Sequence, residues 1–169
     1  MPERSPRFDP YALLEALDRH RVIYVVIGGF ARVIQGTEEI TRGLDIVPST
    51  REQNLELLAA ALDELGASRT DRKKLNLEQA LGSEEVLELT TDRGELKIVA
   101  EPAGTRGYDD IRRAATREPL GRGLRPSVAS IGDLARMVSA LDDPERLPQL
   151  MQLRKLVELD FVRGRGIER

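Results

Sequence analysis

The chain has 169 residues, enough for one compact domain with its own core. It has no Cys, which excludes disulfides and thiolate metal sites, and a single His, which excludes a His cluster. A net charge of −3 gives no global attraction to nucleic acid, and aromatics at 4% leave the core to Leu, Val, Ile and Ala. No apolar run reaches the length of a membrane span, and "MPERSPRFDP" has no hydrophobic segment of the kind a signal peptide needs. A cytoplasmic protein away from the membrane is the expectation.

In chain order, "FDPYALLEALDRHR" predicts a helix. Asp9 suits its N-cap and Pro10 its first helical position, while Leu13, Leu14 and Leu17 share one face. His20 falls in its last turn, where a cation is favoured. "VIYVVI" (22–27) is a β-branched run that predicts a buried central strand. It stops at Gly28-Gly29, and "FARVIQG" predicts a short helix ending at Gly36. "LDIV" (44–47) predicts a second strand, stopped by Pro48. Ser49 and Glu52 match a capping box for a helix carrying Leu55, Leu58, Leu62 and Leu65 and ending at Gly66.

The polar stretch 71–83 reads equally as a short helix or a loop. Strands over 85–91 and 95–100, turning at Asp92-Arg93-Gly94, predict a hairpin. A short helix over 108–116 and a turn at "GRGLRPS" follow. Ser130 and Asp133 predict a capped helix burying Leu134, Met137, Val138 and Leu141. Asp143 and Pro144 open a last helix with Leu147, Leu150, Leu153 and Leu156, beyond which the basic tail "FVRGRGIER" predicts frayed chain. With no repeat or linker, the expectation is one α/β (α+β) domain over 1–169. It has a mixed sheet flanked by helices and a C-terminal helical part over 126–160.

The chemistry concentrates between residues 22 and 47. Glycines after a strand let a backbone approach a phosphate, and the following helix offers free N–H groups. Asp45 lies 16 residues beyond Gly29, the distance of one short helix and a turn. A carboxylate there can hold a divalent cation against that phosphate. The bland reading, a tight turn and an ordinary paired acid, has about equal weight on these residues alone.

"VIYVVIGGFARVIQGTEEITRGLDIVPSTREQNLELLAAALDELGA" resembles the nucleotidyltransferase superfamily, in particular the minimal nucleotidyltransferases and AbiEii-type toxin components of bacteria. "GELKIVAEPAGTRGYDDIRRAA" and "PSVASIGDLARMVSAL" extend the likeness to roughly residues 20–160. The resemblance implies a nucleotidyltransferase-like fold and two-metal transfer of a nucleotidyl group to a hydroxyl. It places Gly28, Gly29, Thr41 and Arg42 on the nucleotide side and Asp45 as the second of three metal-binding acids. The first acid would fall at Gly43 and the third at Lys97. A family arginine before the threonine is Glu39 here, and a lysine of the closing helix is Val138.

Two ions about 4 Å apart need bridging carboxylates, which one aspartate cannot supply. A Lys97 ammonium about 4 Å from Mg²⁺ would add repulsion of roughly 8 kcal/mol at an effective dielectric near 20, an upper-end figure. Lys97 is expected to pair with Asp45 in the metal's place, unless its strand turns it to solvent. Two functions follow. One is a fold without metal-dependent transfer and without a cofactor, serving as a binding or interaction module or a decayed toxin component, with an antitoxin or other protein as partner. The alternative is an active Mg²⁺ enzyme modifying RNA or protein, with Asp92 or Glu101 recruited beside Asp45. Arginines 112, 113, 117, 122, 125, 163, 165 and 169 could form an RNA-binding patch. No aromatics interleave them as stacking platforms, so solvated faces are the simpler reading.

Overall fold

A computed structural model of the chain describes residues 7–83 and 86–167, with side chains as far as Leu159. Helix α1 (Pro10–Arg19) starts where Asp9 accepts a hydrogen bond from the Ala12 N–H at 3.1 Å. His20 caps its C-terminus, with Nε2 3.6 Å from Glu64 Oε1. Strand β1 (Tyr24–Ile27) is buried throughout. It is shorter than predicted because Asn54 takes over both backbone groups of Ile23. The Ile23 N–H donates to Asn54 Oδ1 at 2.7 Å and the Ile23 carbonyl accepts from Nδ2 at 2.9 Å.

Helix α2 (Gly28–Gln35) follows without a loop and ends at Gly36, and strand β2 (Gly43–Pro48) runs antiparallel to β1. Helix α3 (Glu52–Glu64) has Arg51 at its N-cap and no side-chain cap bond, so the predicted Ser49–Glu52 box does not form. Ser49 is held by the sheet instead. Its N–H donates to the Ile23 carbonyl at 3.0 Å and its carbonyl accepts from Asn54 at 2.8 Å.

Strand β3 (Ser68–Arg69) leads to α4 (Leu77–Gly82), which settles the open stretch as a helix capped by Asn76. The hairpin forms as predicted from β4 (Val86–Thr91) and β5 (Gly94–Val99). Helix α5 (Tyr108–Ile111) precedes β6 (Thr116–Arg117) and β7 (Ser127–Val128). The 126–160 segment is therefore not wholly helical: Val128 pairs in parallel with Val26. Helix α6 (Ile131–Ala140) is capped by Ser130, which accepts from the Asp133 N–H. Leu141 lies past its end and is 55% exposed, not buried as predicted, because the chain turns away at Asp142 with φ +48°. A 3₁₀ turn (Pro144–Arg146) enters α7 (Leu147–Ile167), so the tail continues as helix to Ile167 and residues 168–169 fall outside the described residues. Of the four leucines, Leu153 is fully buried and Leu147 is exposed.

The described strands form one mixed seven-stranded sheet in the order β3-β4-β5-β2-β1-β7-β6, with β2–β5 and β1–β7 parallel. Side chains alternate across it. Leu44, Ile46, Leu87, Leu89, Leu96 and Ile98 point to one face and join Leu13, Leu17, Leu58 and Leu62 in the core. On the other face α2 packs on β1 and β2, with α6 against α2 and α7 against α6. Toward β5 this face stays open, and Gly43, Asp45, Glu95 and Lys97 line a cleft there.

Candidate functional site

The open part of this face is a cleft of about 480 Å³. Gly28, Gly29, Thr41, Arg42, Gly43, Asp45 and Lys97, the residues picked out by sequence, all line it. Gly28 has φ +73°, which only glycine adopts without strain. It also makes room for Asp45, since a Cβ at Gly28 would lie 2.9 Å from Asp45 Cγ. A Cβ at Gly29 would lie 3.4 Å from Glu39 Oε1 and 3.5 Å from Thr41 Oγ1. The Thr41 hydroxyl is turned to its own strand entry, donating to the Gly43 carbonyl at 3.0 Å.

Asp45 stands opposite Ile27 on one side and Lys97 on the other. Among the described residues it makes no hydrogen bond and no ion pair. Burial pushes its carboxyl above the ordinary value of 3.8, and the more distant charges of Lys97, Arg32 and Arg146 do not bring it back. The expected Asp45–Lys97 pair is therefore corrected. The two share a face as register partners, but Lys97 reaches outward to Glu88 across the β4–β5 ladder, Nζ to Oε1 3.8 Å. With a side chain 45% exposed, the ammonium is hydrated and mobile enough to prefer the rim. Its repulsion of a cation is screened well below the figure for a fixed charge at 4 Å.

Sequence reasoning missed the strongest polar contact of the cleft. Arg32 donates to Glu39 through Nε and Nη2, both at 2.9 Å, and Thr37 donates to the same carboxylate at 2.8 Å. Both charged side chains are only 10% exposed. Burial pushes the Glu39 carboxyl up, but the bonds from Arg32 and Thr37 prevail and hold it below its ordinary range. Glu39 had signalled itself only as a departure from the family arginine. Nothing in the spacing pointed to Arg32 as its partner. Also missed were Glu95, register partner of Gly43, and Arg146, which enters the cleft from the turn before α7.

These residues do not fit a two-metal centre. Gly43 has no ligand atom, Lys97 is a cation, and the described residues contain no group of three or more His, Asp or Glu able to hold a metal ion. Recruitment of Asp92 or Glu101 is overturned by position. Asp92 packs on Gly66 at the hairpin turn, and Glu101 lines a separate groove with Arg51 and Tyr108. Several arginines of the patch that sequence suggested have partners within the protein. Arg122 lies over the Tyr11 ring at 4.7 Å, Arg112 is 3.4 Å from Asp109, and Arg117 donates to the Arg125 carbonyl at 3.2 Å. The side chains of Arg163, Arg165 and Arg169 lie outside the described residues.

No family model and no curated protein sequence matches the chain. Solved structures do. Lincosamide antibiotic adenylyltransferase LnuA, lincomycin-bound, has a TM-score of 0.61 at 16% identity, covering 89% of this chain and 99% of that one. ANT(2'')-Ia in complex with adenylyl-2''-tobramycin has 0.54 at 15%, covering 93% and 96%. A candidate nucleotidyltransferase from Thermotoga maritima has 0.52 at 16%, covering 97% and 98%. At such identities the likeness establishes architecture alone, and the architecture is the nucleotidyltransferase fold. Among the described residues no helix is long and apolar enough to cross a membrane.

Proposed function

We propose that this nucleotidyltransferase fold has lost metal-dependent nucleotidyl transfer and serves as a binding or interaction module. The observation that carries the reading is the register of β2 and β5: Asp45 has the cation Lys97 opposite it, and Gly43, two residues before it on the same face, offers no ligand atom. Two-metal catalysis requires carboxylates that bridge the ions, and these positions supply one. The solved neighbours named for adenylyl transfer raise the contrary expectation. Similarity of fold does not carry chemistry when the side chains differ.

The same reading includes a decayed toxin-type component in the cytoplasm, partnered by an antitoxin-like protein, with no cofactor of its own. The test is label transfer. The protein is incubated with each of the four α-labelled nucleoside triphosphates, Mg²⁺ or Mn²⁺, and total RNA or protein as acceptor. No transfer is expected. Transfer that disappears in Asp45→Asn would overturn the reading.

A further inference from the structure

A second groove, of about 720 Å³, lies beyond the carboxyl ends of β2 and β5 and shares no lining residue with the cleft. Its volume is in the range of small-molecule sites. β2 and β5 are parallel neighbours, and the carboxyl ends of parallel strands are where ligand crevices form in α/β sheets. Ser49 follows β2 and Glu101 follows β5, each three residues beyond the register pair Ile46–Ile98. Both flanks are fixed. The Ser49 N–H donates to the Ile23 carbonyl, and its carbonyl accepts from Asn54. On the β5 side, Gly107 comes so close that a Cβ there would lie 2.6 Å from the Ala100 carbonyl oxygen. The Ser49 side chain is the feature without a structural use. The residue is only 6% exposed, its hydroxyl makes no hydrogen bond among the described residues, and it lines the groove. It does not cap α3, whose first-turn N–H groups have no side-chain acceptor. A nearly buried free hydroxyl beside free helix N–H groups favours an anionic oxygen.

The charged lining argues against a simple anion. Arg51 and Arg106 are outnumbered by Glu52, Glu78 and Glu101, and none of the five forms an ion pair among the described residues. Asp109, also in the lining, is 3.4 Å from Arg112. A ligand with negative charge alone meets net repulsion, whereas one carrying both signs finds a partner for each. We propose that this groove binds a small zwitterion, a carboxylate and an ammonium joined by a short aliphatic chain. The carboxylate sits on the Ser49 hydroxyl and the α3 N–H groups, the ammonium on Glu78 and Glu101, and the chain along Leu55 and Leu81. Because the two sites share no residue, this one stands whether or not nucleotidyl transfer is lost.

The probes are ε-aminocaproate, caproate and hexylamine, which share one chain and differ in their charged ends. Each is titrated into the full-length protein at low salt, and chemical shifts are followed at Ser49, Leu81, Ala100 and Tyr108. ε-Aminocaproate should bind about tenfold more tightly than either single-charge probe, the margin of one charge-assisted hydrogen bond. Ser49→Ala should weaken ε-aminocaproate and caproate by about fivefold and leave hexylamine unchanged. The double change Glu78→Gln with Glu101→Gln should erase the difference between ε-aminocaproate and caproate. It should also tighten caproate by about two- to threefold, a gain that misfolding cannot mimic. Absence of ε-aminocaproate binding overturns the proposal. So does equal affinity for all three probes, an affinity indifferent to Ser49→Ala, or a preference for the zwitterion that survives the double change. Shifts at Asp45, Met137 and Val138 instead would place the ligand in the cleft and overturn it equally. Neither nucleotide nor metal is present, so failure here leaves the label-transfer result, and the reading it tests, standing separately.

Discussion

Asp45→Asn should stabilise the protein at neutral pH. The substitution keeps the volume of the side chain and removes a charge that accepts no hydrogen bond among the described residues. Burial raises the folded-state carboxyl above its ordinary 3.8, so the folded protein binds this proton more tightly than the unfolded chain does. The associated stability is full below the unfolded value and is lost as pH rises through the raised folded value. Above the raised folded value the wild type carries the penalty of this half-buried charge, and the Asn variant does not. An unsatisfied buried group costs about 1–3 kcal/mol. Asp45 is only partly shielded, with three cations at longer range, which points to the lower end, about 1 kcal/mol. For a domain of this size that corresponds to roughly 2–4 °C in Tm. Urea unfolding of both proteins at about pH 7 and pH 4 reads the effect, with the gain shrinking toward the acid end. Equal or lower stability of the variant at pH 7 would refute the reasoning, as would a difference independent of pH.

Gly28→Ala should destabilise by about 2 kcal/mol or more through its positive φ and its collision with Asp45, and less so when combined with Asp45→Gly, which relieves only the collision; denaturant melts of the three variants separate the two causes. Glu39→Gln leaves the nearly buried Arg32 guanidinium without its counter-charge and should cost about 3 kcal/mol at pH 7 by chemical denaturation. Because the Glu39 carboxyl is held below its ordinary value, that contribution is present above about pH 4.5 and disappears as pH falls through the lowered value, so the two proteins should converge in acid. The double change Gly43→Asp with Lys97→Asp puts three carboxylates on one sheet face. It should melt below wild type in EDTA and recover on adding Mn²⁺ or Mg²⁺, by ~2.7 kcal/mol at about 100 times the dissociation constant. No recovery would mean that the three positions do not converge.

Local signals made most of the fold legible. The unbroken "VIYVVI", the Asp-Arg-Gly turn and the Asp9 and Ser130 caps each depend on a few neighbouring residues, and each formed, the strand two residues shorter at its start. The failures needed tertiary information. Ser49 had the spacing of a cap, but Asn54 and Ile23 claimed its backbone for the sheet. Leu141 continued a helical apolar pattern, yet the chain left the helix one residue earlier. Gly28, Gly29 and Asp45 were identifiable from the strand–glycine–helix–strand spacing, and Thr41, Arg42, Gly43 and Lys97 through the resemblance to the nucleotidyltransferase family; all seven line the cleft. What their side chains do there was not identifiable. Lys97 is the register partner of two acids, Asp45 on β2 and Glu88 on β4, and only the course of its own side chain, which ends 3.8 Å from Glu88, decides between them. The Arg32–Glu39 contact closes a seven-residue loop whose geometry no periodicity encodes.

Titration calorimetry of ATP, CTP, GTP and UTP into the protein, with and without millimolar Mg²⁺, bears most directly on whether this cleft still serves metal-dependent nucleotide chemistry. With Gly43 and Lys97 at two of the three acid positions and only Asp45 at the third, no Mg²⁺-dependent heat is expected for any of the four. Micromolar binding that requires Mg²⁺ and vanishes in Asp45→Asn would contradict the account.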